Sequence, residues 1–201
     1  MKYLYLILLC ILSQYSFAQV EKMDIKKTYD EIYTLYPKML VNHFIDFDSL
    51  QIVYLHVDYP GSTRYQTQVH AMFLYDGKQI DTLEKIIKQR SIKEYHFTDS
   101  CLMVVAYDST IYDASKFKIR QCSDFSKMLP IPNFQYYFES QLPSEFFEKA
   151  NIYILESKKG KFMKNKFLSV EDIRLPKCWK HGYTKGILIS GNLVAYWMEV
   201  W

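Results

Sequence analysis

The stretch "KGILISGNLVAYWMEVW", Lys185 to Trp201, decides the fold. Gly191-Asn192 is a two-residue loop whose backbone suits a tight antiparallel turn, so the runs on either side read as the two strands of a hairpin. In the second strand Leu193, Ala195, Trp197 and Trp201 share one face with Glu199, while Val194, Tyr196, Met198 and Val200 share the other. Side chains alternate along a strand, and here both faces are apolar, which places the strand inside a sheet covered on two sides. Losing a large aromatic from such a core costs about 3–5 kcal/mol, comparable with the stability of a whole domain.

Working outward, a period of two recurs in "LQIVYLHVD" (50–58) and "VHAMFLYD" (69–76), with a Pro60-Gly61 turn between them. In the first run Val53, Leu55 and Val57 are expected on one face and Ile52, Tyr54, His56 and Asp58 on the other. Further strands are expected at 92–97 and at 151–157, the latter turning through Lys158–Lys161 into "KFMKNKF" (161–167). The runs 102–107 and 116–121 are expected to pair antiparallel, bringing Cys101 opposite Cys122 within the distance a disulfide tolerates. Two buried thiols that never meet are the alternative.

Helical spacing appears at the front of the chain, where Ile25, Tyr29, Ile32, Tyr36 and Leu40 form a stripe with Asp24 as a capping residue. Pro37 lies inside this pattern and should split it, because it lacks an N–H and restrains the residue before it. Asp81 and Glu84 have the spacing of a capping box for a helix ending at Arg90, and short helices are expected near 124–128 and from Pro143. Strands and helices that mix without regular alternation give an α+β class: a largely antiparallel sheet, an N-terminal helix, short helices, and the C-terminal hairpin central in the sheet.

The first eighteen residues read as a secretory signal, with Lys2, an apolar run from Leu4 to Leu12, and Ser16 and Ala18 placed for cleavage before Gln19. The apolar run is far short of the roughly 20 residues that span a bilayer, so no transmembrane span is expected in the mature chain. Residues 19–201 are then read as a single α+β domain in the periplasm or outside the cell. The formal net charge is +3, and loss of Lys2 leaves +2, too balanced for a nucleic-acid-binding footprint. Lysines are dense from Ser157 to Lys166, which reads more readily as a solvated hairpin than as a ligand patch.

No phosphate loop, dinucleotide fingerprint, His-Glu-x-x-His, Gly-x-Ser-x-Gly or Cys-x-x-Cys is present, so no cofactor is implied and an enzyme is disfavoured. Weak catalytic candidates are Cys178 with His181, where an imidazole would make the thiolate, and His56 with Asp58, an acid–base pair on one strand face. "NHFIDFDS" offers His43, Asp46 and Asp48 as metal donors, although carboxylates at that spacing also cap turns. "CWKHGY" (178–183) is read as structure before site, with Trp179 covering the core edge. The expected function is an exported, non-enzymatic protein that binds a protein or glycan partner through Tyr136, Tyr137, Phe138, Trp179, Lys180 and Tyr183; a small exported hydrolase is the alternative.

Overall fold

The computed structural model describes residues 24–61, 66–99, 102–105, 127–134, 138, 142–168 and 175–201. A first helix, α1, covers 24–35 and is separated by Pro37 from α2 (Lys38–Val41). The expected split therefore falls at the proline. Asp24 is itself helical and is not the cap; its carbonyl accepts from the Thr28 hydroxyl at 3.0 Å. Strands β1 (Gln51–Val57) and β2 (Thr67–Leu74) follow, then α3 (Gly77–Arg90) and β3 (Lys93–His96). The pieces β4 (Met103–Val104) and β5 (Pro130–Ile131) precede α4 (Ser144–Glu148), and β6 (Asn151–Lys159), β7 (Gly182–Ser190) and β8 (Leu193–Val200) complete the described elements.

Six strands form one antiparallel sheet in the order β1-β2-β8-β7-β6-β3. The closing hairpin sits at its centre, with β8 between β2 and β7, as the two apolar faces of β8 require. Ser190 pairs with Leu193 across a two-residue loop, and Gly191 has φ 59°, the left-handed conformation that glycine adopts without a Cβ penalty.

Each face of β8 feeds a different core. Val194, Tyr196, Met198 and Val200 pack with Tyr29, Ile32, Leu40 and Ile87 under the three helices. Ala195 and Trp197 pack on the opposite side with Ile131, Phe134, Phe138, Phe146 and Phe147. Trp201 joins Trp179, Met103, Val105 and Met128 at the end of that second layer. Both layers are aromatic-rich, with ring pairs such as Tyr29–Phe73 at 5.8 Å and Phe134–Trp197 at 5.6 Å in edge-to-face geometry.

Glycine sets how closely the tryptophans lie on β7. A Cβ on Gly186 would fall 2.1 Å from the Tyr153 carbonyl oxygen and 2.6 Å from the Trp197 ring. A Cβ on Gly182 would fall 2.8 Å from the Lys158 carbonyl oxygen and 3.0 Å from the Trp201 ring. The two indoles lie across β7 where the strand has no side chain of its own.

Several local expectations give way to tertiary context. The alternation of β1 shifts at a bulge between Ile52 and Tyr54, so Ile52 packs with Leu55 and Val57 under the helices while Val53 is left exposed. The helix before Arg90 starts earlier than Asp81: Asp76 is its cap and Gln79, not Glu84, completes the capping box. Residues 161–168 make a 3₁₀ turn at Asn165–Phe167 instead of a strand, because β7 takes the edge of β6 that they would have used. Met103–Val104 pairs in parallel with Pro130–Ile131, whereas its expected partner 116–121, together with Cys101 and Cys122, lies outside the described residues.

Candidate functional site

The polar side chains of the sheet gather at one end, where β1, β6 and β8 finish and β2 and β7 begin. On the face away from the helices they form two rows fixed by strand register. The first row runs His56, His70, Trp197, Gly186, and the second Gln68, Glu199, Thr184, Ser157. Asp58 extends the second row, its N–H donating to the Gln68 carbonyl at 2.9 Å. Period-two alternation brings this about: Gln66, Gln68 and His70 share a face of the chain, while Val69, Ala71 and Phe73 turn to the helices.

These groups are deeply placed. His70 and Glu199 are both 0% exposed, Gln66 and Gln68 1%. The Gln66 amide donates to Glu199 Oε1 at 2.8 Å. Burial pushes the Glu199 carboxyl well above the usual carboxylate range; the Gln66 bond opposes that shift and the nearby Asp58 charge adds to it. Burial likewise drives the His70 imidazole well below its ordinary value, with His56 adding in the same direction. Burial thus favours the neutral form of both the acid and the imidazole. Asp58 Oδ2, Trp197 Nε1, Thr184 Oγ1 and Glu199 Oε2 are buried with no hydrogen-bond partner among the described residues.

At the solvent margin of these rows His56 Nε2 lies 3.2 Å from Asp58 Oδ1, with the His56 side chain 35% exposed. The Gln68 amide sits 3.5 Å from the same ring nitrogen and, through its oxygen, 3.2 Å from His70 Nε2. The structure therefore brings together the sequence-named pair His56 and Asp58 and supports it with Gln68 and His70. Sequence reasoning missed Gln66, Gln68 and His70, although polar residues at period two in a strand flanked by apolar ones are the signal that would have found them. Glu199 was visible only as an interruption of an apolar face.

The other sequence-named groups are dispersed. Cys178 is an exposed free thiol, and no contact joins it to His181, whose Nδ1 is buried without a partner among the described residues. Burial, and then the positive charges of Lys161 and Lys180, lower the His181 pKa. His43 Nε2 lies 2.9 Å from the Trp197 carbonyl oxygen, and burial holds its imidazole down to about 3. Asp46 accepts from the Asp48 N–H at 3.3 Å, and Asp48 pairs with Lys26 at 2.6 Å, which is the turn-capping arrangement. Among the described residues no group of three His, Cys, Asp or Glu side chains is arranged to hold a metal ion.

Of the residues named for binding, Phe138, Trp179 and Tyr183 are buried, which removes their rings from any surface stack; Tyr136 and Tyr137 lie outside the described residues. Lys180 is exposed. It belongs to a cationic end built from two loops, 158–166 and 177–180. Lys159 pairs with Gly182 at the close of β6, the Gly160 N–H donates to the His181 carbonyl at 2.9 Å, and Lys159 Nζ stands 5.0 Å over the Trp179 ring. Trp179 is anchored in turn by the Trp201 indole, which donates to its carbonyl at 2.7 Å. Lys158, Lys159, Lys161, Lys164, Lys166, Lys177 and Lys180 are all exposed. Among the described residues only Lys158 has an ion-pair partner there, Glu156.

Glu156 is shared with Lys185, a buried lysine at 3.0 Å whose Nζ also donates to the Met39 carbonyl and, at 2.8 Å, to Asn42 Oδ1. Burial would raise the Glu156 carboxyl, but Lys158 and Lys185 hold it down to about 2. The acid that meets Lys158 is thus also engaged by Lys185. No protein family, curated protein or solved structure matches this chain. No helix among the described residues is long and apolar enough to cross a membrane.

Proposed function

We propose that this protein is exported and acts as a non-enzymatic binding protein, meeting a protein or glycan partner at the lysine-rich end of the sheet. One observation carries the reading: strand pairing and the Gly160–His181 bond set the Lys158–Lys161 turn beside Lys180, and of the seven exposed lysines in these two loops only Lys158 has an acidic partner among the described residues. Like charges held together on a rigid sheet end raise the local positive potential, which speeds and orients the approach of an anionic surface. The loops themselves are fixed, since the Trp179–Trp201 contact and the Gly160–His181 bond tie both to the core. Export rests on the leader-like residues 1–18.

Replacing Lys159, Lys161, Lys164 and Lys180 by Gln tests the binding reading. Retention on a cation-exchange resin and binding of a soluble polyanion should both fall, with the thermal transition unchanged; an unaltered binding isotherm rejects the lysine end as the contact surface. N-terminal sequencing of protein recovered outside the cytoplasm tests export, with Gln19 as the expected first residue.

A hydrolase is favoured by a different observation, the 3.2 Å approach of His56 Nε2 to Asp58 Oδ1. A carboxylate holding an imidazole is the arrangement that lets histidine take a proton from water or a hydroxyl. Cleavage of chromogenic ester, phosphoester or glycoside substrates that disappears in His56→Ala supports it; activity equal in the variant and the parent rejects it.

A further inference from the structure

We infer that the partner of the lysine end is an acidic polysaccharide, a polymer of repeated carboxylate or sulfate groups. The inference rests on the binding reading above and goes on to name the partner's chemistry. Charge is strongly segregated: residues 157–181 carry eight basic and two acidic side chains, a net of +6, so the rest of the +3 chain is net −3. Glu171 and Asp172 are included in that count. The protein is near neutral as a whole and cationic at one end, which suits a polyanion met locally rather than general adhesion to anything negative.

Three features select the class of polyanion. First, the seven exposed cations at this end among the described residues are lysines; Arg174 lies outside the described residues. Lysine is a hydrated point charge on a flexible stem, without the planar fork with which arginine grips one carboxylate or phosphate through two bonds, so the end reads spaced charge, not a single anionic group. Second, of the large exposed hydrophobic residues among those described, Tyr33, Met39, Val53, Ile86 and Ile92 belong to other elements, and Tyr59, in the turn whose Gly61 meets the Phe167 ring, donates its hydroxyl to Glu31. A protein interface needs a desolvated aromatic or aliphatic anchor at its centre and is depleted in lysine, and Trp179 is already spent against Trp201. Third, membrane-surface binding joins basic residues to an inserting apolar face, and nucleic-acid binding adds aromatic platforms for bases; at this end Phe162, Met163, Phe167 and Leu175 are only partly exposed, with Phe162 and Met163 packed against the core.

The test uses the folded protein with polygalacturonate and dextran sulfate as probes and neutral dextran as the blank. Competitors are polyglutamate, duplex DNA and phosphatidylcholine vesicles containing a minority of phosphatidylglycerol. Two charge-matched variants are compared: Lys159, Lys161, Lys164 and Lys180 to Gln at the lysine end, and exposed Lys38, Lys78, Lys85 and Lys149 to Gln elsewhere. The expected result is binding to both acidic glycans and not to dextran, weakened about tenfold or more in the first variant, with a shallower dependence of log affinity on log salt, and retained in the second. If polyglutamate, DNA or the vesicles bind more tightly than the glycans, and that binding is lost in the first variant only, the lysine end stands and the glycan assignment falls. If no polyanion binds, or both variants weaken equally, the binding reading falls with it.

Discussion

Two regions at the same end of the sheet treat charge in opposite ways. On the face of β2 and β8, Glu199 is wholly buried and burial favours its neutral form, as it does for His70. Nearby, the lysines of 158–166 and 177–180 are exposed to solvent, and among the described residues only Lys158 has an ion-pair partner. The contrast follows from solvation. Removing a charge from water costs several kcal/mol, so an interior group gives up its charge, whereas solvent screens exposed like charges cheaply and leaves them free to meet a partner. The buried region should answer to mutation and pH through stability, and the lysine end through binding.

The largest effect that would break this contrast is in the core. Trp197→Ala removes a fully buried ring and should lower stability by about 3–5 kcal/mol, read as a fall in the denaturant midpoint. A loss near zero would mean that β8 is not the centre of the molecule. Next comes Gly186→Ala, where the new methyl meets the Tyr153 carbonyl and the Trp197 ring; destabilisation of about 1–3 kcal/mol is expected by thermal or chemical melting.

The pH dependence sharpens the comparison. Glu199 has a raised pKa in the folded chain, so above its unfolded value of 4.5 the folded state holds a proton that the unfolded state has released, and stability falls as pH rises. His43 and His70 have lowered values, so below their unfolded 6.5 the unfolded state binds protons that the folded state refuses, and stability falls as pH drops. The two limbs oppose one another, the histidines acting below 6.5 and the glutamate above 4.5. Glu199→Gln keeps an acceptor for Gln66 and removes the alkaline limb, which has a slope of about 1.4 kcal/mol per pH unit. The variant should be the more stable form at pH 8, with the gap closing towards pH 4.5 in a urea titration. An identical profile for variant and parent would show that Glu199 ionises freely.

The smallest stability effect belongs to the lysine end. Neutralising Lys159, Lys161, Lys164 and Lys180 should move the melting free energy by no more than about 0.5 kcal/mol per site while binding of acidic glycans drops. A large destabilisation would make those lysines part of the fold and erase the difference between the two regions.

Much of the architecture was legible in short patterns. The Gly191-Asn192 turn and the two apolar faces of β8 specified a central hairpin, and Pro37 marked the break between α1 and α2, because turn chemistry and proline geometry act locally. The start of α3 was misread, since Asp76-Gly77 serves a turn or a cap equally well until the helix behind it is packed. The face of Ile52 was misread because a bulge is a property of two strands together.

For the site, the sequence picked out His56 and Asp58, which alternate onto one face of a single strand and so sit within reach of each other at 3.2 Å. It named Lys180 and flagged the 157–166 lysines, but gave no reason to join them. Their meeting depends on β6 and β7 pairing antiparallel, so that Lys159 falls opposite Gly182.

The amino-acid order by itself determined which strand must be central, where the first helix breaks, and how charge is divided along the chain, because each depends on neighbours a few residues apart. Tertiary structure alone decided that Gln66, Gln68, His70 and Glu199 share one buried face and that the Lys158–Lys161 turn lies beside Lys180. The first depends on strand register between residues more than a hundred apart and the second on the pairing of β6 with β7, neither of which a local pattern encodes.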